Sequence, residues 1–452
     1  MPAESLGVPV PVPTVRRVIS QRDAVRRLLE RVGLGPRPGE VDASAAAGFD
    51  ATLHRLTGAD GVDAGVLGTP APDFGPPQQR LGKAAPTADR RARRQAQARQ
   101  SVELGTWWLD RMAAVEHPYP ERMTWFWHGH FATSVRKVKS PQLMHIQNET
   151  MRTLGRGDFR ALAQAMIVDP AMLVWLDGGG NKLGKPNENL AREFMELFTL
   201  GVGNYTEADV RDAARALTGW KVDYRNGTAV TAPRAHDPGP KTVLGTTGAL
   251  DAGGLVDLLV RQEASPRFVA TRIWTRFVSD TPPDPATMDR LVTAYGPAHD
   301  VTALVTAAVR EPAFRDPASI LVREPVLWLV AALRALRITA SALPVQSLVG
   351  GLNGLGQVPL APPNVGGWPA GLPWLTTAAA LTRMRLGQAL AEAGDIAPVT
   401  AAALPGRVEA TAALLGLPGF GDRTASALRT LADRPAQLVG LALASPEYTV
   451  SA

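Results

Sequence analysis

Cysteine is absent from the 452 residues. That excludes disulfides, thiolate metal sites, iron–sulfur clusters and a cysteine nucleophile. No apolar run of ~18 residues escapes interruption by charge, proline or glycine, so a membrane span is not expected. A strong charge of one sign is missing as well: 48 Lys+Arg stand against 42 Asp+Glu, a net +6. The sequence pI of about 9.8 overstates this mild excess. It allows a basic patch but not a histone-like field, and no nucleic-acid partner is expected. The chain has no G-x-G-x-x-G after a strand, no Walker A sequence, no H-E-x-x-H and no G-x-S-x-G. Nucleotide cofactors and serine-hydrolase chemistry are therefore unsupported. GGGNKLGKPNEN (Gly178–Asn189) resembles a phosphate loop in composition only. The opening MPAESLGVPVPVPTVRRVIS has no apolar h-region, and its Arg16–Arg17 pair runs into polar sequence. A cytoplasmic location is the default expectation, with export on a partner as the other route.

What is present is core-forming and helical. The chain is 45% hydrophobic and 20% charged, and β-alternation is nearly absent. The expected fold is mostly α: one large multi-helical domain with long Pro/Gly-rich loops and at most a small β-hairpin. Residues 1–17 read as a loose arm. Residues 18–105 read as an N-terminal helical part with a Pro/Gly loop and a basic helix. Residues 106–245 form the motif-bearing centre, and 246–452 a C-terminal helical part with a Gly/Pro/Trp loop at 351–375. Short helices are expected around Asp23–Val32 and Ser44–Leu56, then at Leu255–Arg261, Pro266–Phe277, Pro285–Ala294, Val301–Arg310 and Pro325–Leu336. Between Arg80 and Arg99, seven basic residues (Arg80, Lys83, Arg90, Arg91, Arg93, Arg94, Arg99) face Asp89 alone. This segment is either a solvated helical face or a contact for an acidic partner; no aromatics interleave it, which weakens a nucleic-acid reading.

Four features carry candidate chemistry. The first is PNENLAREFMELFTLGVGNYT. On an α-helical wheel with Leu190 at 0°, Glu193 falls at about −60° and Glu196 at about −120°. The first is then inside an apolar arc and the second at its margin. A carboxylate there needs an ion pair, a metal or a raised pKa. The second is ERMTWFWHGHF: in a continuous helix His128 and His130 diverge by about 160°, and only a break at Gly129 would let one ion take both. The third is APRAHDPGPKTVLG, where three prolines stiffen a loop carrying His236, Asp237 and Lys241. The fourth is tryptophan, ten residues against five tyrosines. Trp368 and Trp374, in the 351–375 loop, are expected to be exposed and able to stack on a sugar ring.

These segments have a family likeness. MTWFWHGHFATS (Met123–Ser134), the stretch from Asp169 to Trp220, HDPGPKTVLG (His236–Gly245) and PPNVGGWPAGLPWL (Pro362–Leu375) resemble the bacterial domain of unknown function 1800 family, over about Val18 to Pro446. The resemblance implies one largely helical domain whose signature positions here are His128, His130, Asn187, Glu188, Asn189, Arg192, Glu193, Glu196, His236, Asp237 and Lys241. It also implies a sulfatase-like partner protein and joint action at the cell envelope on a polysaccharide.

Two readings follow. In the first the chain is a metal-dependent enzyme, a hydrolase or transferase acting on an anionic or carbohydrate-type substrate. Its divalent ion (Mn, Fe, Zn or Mg) would be held by His128, His130, Glu193, Glu196 and His236. Glu193, Glu196, His130 and Asp237 would be catalytic, and Arg192, Lys241, Asn187, Asn189, Trp368 and Trp374 would bind substrate. A metal-free glycosidase built on Glu193 and Glu196 ranks lower, because i, i+3 on one helix opposes two carboxylates poorly across a bond. In the second reading the chain is a non-catalytic glycan- or protein-binding scaffold, and the same residues form a structural His/Glu/Arg network.

Overall fold

The computed structural model describes residues 18–58, 61–79, 81–82 and 84–452. The expected arm at 1–17, with Arg16–Arg17, and the basic residues Arg80 and Lys83 lie outside the described residues. The described chain is mostly helical, with three two-stranded antiparallel pairs. Many helix starts follow from local chemistry. Ser20, Ser140, Asp158, Asp169, Thr206, Asp284 and Asp300 each accept an N–H from the first turn of the helix they precede. These contacts satisfy donors that the helix itself cannot. The observed helices Gln21–Arg31, Ala252–Val260, Ala264–Phe277, Pro285–Tyr295, Val301–Arg310 and Pro325–Ala335 lie within three residues of the expected ends. The expected Ser44–Leu56 helix is split: Gly48 takes φ 94°, which ends Glu40–Ala47 and starts Phe49–Thr57. Where at most a small hairpin was expected there are two short ones, Trp220–Asp223 with Thr228–Thr231 and Lys241–Val243 with Thr246–Gly248. Leu321–Val322 pairs with Val450–Ser451.

The buried apolar side chains form two clusters. One joins the helices of residues 24–56 to those between 119 and 314. The other joins the C-terminal half of the long helix Thr87–Ala114 to residues 326–448. The helix Tyr119–His130 runs between them and is buried on nearly every side. Met123, Phe126 and Trp127 enter the first cluster and Trp125 the second. The helix is interior although it is not apolar all round: it buries Glu121 and Arg122 as well as the two motif histidines. The loop 362–375 closes over it. Gly367, at φ 80°, brings its backbone against the carbonyl of Gly129. Among the described residues no helix is long and apolar enough to cross a membrane.

Candidate functional site

The helix Tyr119–His130 continues through Gly129, so the two histidines diverge. Nε2 of His128 accepts the Leu360 N–H at 3.1 Å, inside a box of Trp108, Trp125 and Trp368. Nε2 of His130 donates to the Phe198 carbonyl at 2.9 Å, and its Nδ1 is buried with no partner. Six aromatic rings, among them Phe126, Trp127 and Phe198, surround that imidazole. Burial pushes both pKa values down to about 3, with Arg272 adding to the effect on His130. Both rings are neutral at pH 7.

The carboxylate pair sits differently from the wheel. Glu188–Glu193 is α-helical, but Phe194–Thr199 widens into a π-turn held by Leu200 N–H to Met195 C=O and by the Thr199 hydroxyl on Phe194 C=O. The wider turn shifts the residues after it relative to Leu190, and Leu197, expected beside Glu193, is half-buried like Glu193 itself. Glu193 has no hydrogen-bond or ion-pair partner among the described residues. Burial and the neighbouring Glu196 raise its pKa against the pull of Arg192. Glu196 accepts the Tyr205 hydroxyl. Arg192 pairs with Glu207 through two 2.7 Å bonds and with Glu188 at 3.2 Å. Asn187 caps the helix, and Asn189 donates to the Leu176 carbonyl.

The third segment is pinned to the helix Glu207–Ala216. Asp237 takes a two-pronged bond from Arg215, at 2.8 and 3.4 Å, which lowers its pKa despite some burial. Lys241 donates to the Asp237 carbonyl at 2.5 Å and is buried. His236 Nδ1 donates to the Thr218 carbonyl at 3.0 Å. The expected exposed tryptophans are interior. Trp368 is 5% exposed and stacks on Trp125 at 5.3 Å, and Trp374 is 4% exposed. A Pro/Gly loop is normally a surface feature, but a large indole is better placed in a core, and here the loop carries both indoles inward.

The residues expected to share a metal therefore point to separate neighbours: His128 to Leu360, His130 to Phe198, His236 to Thr218 and Glu196 to Tyr205. Among the described residues no group of three or more His, Asp or Glu side chains is placed to hold an ion. As placed here, His128, His130, His236 and Glu196 do not converge on one point with Glu193.

This packing has a pH signature. The unfolded chain protonates histidine near 6.5, whereas the native state keeps His128 and His130 neutral down to about 3. Their contribution to stability is intact above 6.5 and is lost as pH falls below it. Burial of Asp169, despite N–H donors from Met172 and Gln147, raises its pKa to about 7. Its effect has the opposite sign, favouring the fold as pH falls from 7 toward 4. Two histidines against one carboxyl leave a net loss that is small at pH 6.5 and steepens toward roughly 1.4 kcal/mol per pH unit near pH 5. Urea midpoints across that window are expected to fall, and His128→Asn is expected to flatten the slope.

Three features emerge only from the tertiary structure. The first is the fully buried Glu121, which accepts from Arg111 Nε at 2.6 Å, Arg152 Nε at 2.6 Å, Arg152 Nη2 at 3.0 Å and Trp108 Nε1 at 2.9 Å. The second is a seam of buried arginines between the first helix and the 321–327 segment. The third is an open groove of about 770 Å3 along the long helix. Its floor is Ala98, Val102, Thr106 and Trp107, and its far wall is Gly68–Pro72 with Ser341 and Val345. The sequence signal for the groove was the basic run itself. Thr87–Ser101 contributes no buried residue to the fold, and burial on this helix begins at Leu104. Arg91, Arg94 and Arg99 are exposed, while Arg93 reaches back to Gln78.

No curated protein and no solved structure matches the chain. A family model matches residues 27–450, nearly the whole length and every motif described above. The chain belongs to the family described as Protein of unknown function (DUF1800).

Proposed function

We propose that the chain is a non-catalytic binding protein that takes an extended protein segment along the groove of helix Thr87–Ala114. The single observation that carries this reading is the groove itself, large and open, beside a helical arm that gives nothing to the core. Its floor residues from Ala98 to Asp110 span about 18 Å along the helix axis, the length of five or six extended residues. The walls combine proline, valine, alanine and tryptophan with Thr69, Thr106 and Ser341, and Arg99, Glu103 and Asp110 stand at the edges. Trp107 Nε1 donates to the Thr69 carbonyl at 3.0 Å and fixes the far wall. Apolar side chains fill such a space, and acidic residues on one flank would meet Arg91, Arg94 and Arg99. A polysaccharide is less well served, because the surface the groove exposes is mainly apolar. Nucleic acid is disfavoured by Glu103 and Asp110 in the groove and by the lack of aromatics in the arm. A sulfatase-like protein, which the family resemblance implies as a partner, is one kind of protein that can carry such a segment.

The signature residues take structural roles in this reading. His128, His130, Asp237 and Lys241 hold loops and helix ends together, and Arg192 ties Glu188–Glu193 to Glu207. Glu193 is the exception, with no partner and a raised pKa. Glu193→Gln is therefore expected to leave the thermal midpoint unchanged or slightly higher at pH 7, and to leave groove binding unchanged. Differential scanning calorimetry checks the first and peptide binding the second. A loss of several degrees would reveal a bonded structural role instead.

The groove is tested by selecting random twelve-residue displayed peptides on the wild type, with counterselection on Val102→Asp. The expected winners combine Asp or Glu with Leu, Phe or Trp and lose binding on the variant. No enriched family, or winners that bind the variant equally well, would contradict the reading.

A further inference from the structure

The buried arginines form a second candidate site, which shares Arg122 and the 370–371 turn with the motif segments but none of the candidate metal or catalytic residues. A cavity of about 40 Å3 is lined by Arg31, Arg122, Arg276 and Arg323 with Glu30 and Glu324. A smaller space of about 10 Å3 adjoins it and shares Arg122, Arg276 and Glu324, adding Arg272. Five guanidiniums thus line one seam with two carboxylates.

Both carboxylates are already committed. Glu30 Oε1 takes Arg26 at 2.8 Å and Arg323 at 3.0 Å, and its Oε2 takes the Ser451 hydroxyl at 2.6 Å. Glu324 Oε1 takes Arg276 at 2.7 Å, and its Oε2 takes Trp125 and Gln357. Carbonyls supply further acceptors. Arg122 donates to the C=O of Arg31 and of Arg276, both at helix C-termini, where partial negative charge gathers. Arg31 is spent on Val278, Ser319 and Ser451. Arg276 also donates to the carbonyls of Trp368 at 2.9 Å and Pro369 at 3.2 Å. Two buried donors of the seam, Nη1 of Arg323 and Nε of Arg272, have no hydrogen-bond partner. Burial of unpaired charge is expensive unless a counter-charge arrives.

We infer that this seam is a binding site for a small oxyanion group: a carboxylate, sulfate or phosphate. One water needs ~10–15 Å3 of such space, so about 40 Å3 holds one small oxyanion where about three or four waters would otherwise sit. Guanidinium forks match the planar or tetrahedral oxygens of these groups. The mouth lies beside Thr275, Ala370 and Gly371. Ala370 is exposed, so anions reach the seam from that side.

Removing an arginine here risks unfolding, because Arg31 and Arg323 also hold the first helix to the last strand. The test therefore uses Ala370→Glu, an exposed position where a tethered carboxylate would occupy the mouth and repel anions. Thermal midpoints of the full chain are read with increasing inorganic sulfate, inorganic phosphate or acetate, each at constant ionic strength set with chloride. The expected result is a saturable rise of several degrees with at least one of the three in the wild type, and no rise in Ala370→Glu. The anion that acts identifies the group recognised. A wild type that responds to none of them beyond chloride, or a rise that persists in Ala370→Glu, overturns the assignment.

Discussion

Glu121→Gln is expected to destabilise the protein by about 3–5 kcal/mol, the range for breaking a buried ion pair from one side. The substitution keeps size and shape but removes the charge that holds Arg111 and Arg152. Both arginines then remain in the interior without their carboxylate. Burial alone would raise the Glu121 pKa, yet Arg152 and Arg111 hold it below the usual value, so the group is ionised. Arg152 retains Asn148 at 2.6 Å and Glu149, which tempers the loss without replacing it. The same two guanidiniums lie over the ring of Trp107, each 5.7 Å from its centre. Trp107 is the floor of the groove, so the variant is expected to weaken groove binding as well as the fold. Urea unfolding followed by tryptophan fluorescence measures the first effect. A midpoint within experimental error of wild type would mean that the network carries little of the fold.

Gly367→Ala is expected to cost about 3 kcal/mol or more. A residue with a side chain at positive φ loses roughly 1–2 kcal/mol to begin with. The added Cβ would also collide with the backbone carbonyl oxygen of Gly129, and a backbone neighbour cannot rotate away. The loop 362–375 would have to lift from the helix Tyr119–His130, parting the stacked pair Trp125 and Trp368. The matching control is Gly129→Ala. A Cβ there meets nothing within 4 Å, and alanine is favoured over glycine inside a helix by up to ~1 kcal/mol. The two substitutions, on opposite sides of one contact, are thus expected to move stability in opposite directions. Equal losses from both would contradict a helix that runs unbroken through Gly129.

Much of the helical framework was legible because its signals are local. Caps such as Asp284 and Asp300, and prolines in first turns, act within a few residues. The motif segments were legible as a family pattern. The site geometry was not, for identifiable reasons. A wheel at a fixed angle per residue cannot anticipate the π-turn at Phe194–Thr199, which resets the apolar residues that were to surround Glu193. Trp368 and Trp374 sit among prolines and glycines, the composition of a surface loop, yet the cavity between helices takes their indoles. Glu121 meets Arg152 across 31 residues of sequence. Glu30 meets Arg323 across most of the chain. No spacing rule reports such pairings. The basic run was visible, but not the groove beside it, whose far wall comes from the segments 68–72 and 341–345.

The most direct measurement on the binding account is calorimetric titration of the best selected peptide into wild type and into the triple variant Arg91→Glu/Arg94→Glu/Arg99→Glu, at low and at high salt. These residues are exposed and outside the core, so the fold is expected to survive. The account predicts an affinity at least tenfold weaker in the variant at low salt, with the difference closing as salt rises. Equal affinity for both proteins at low salt would contradict it.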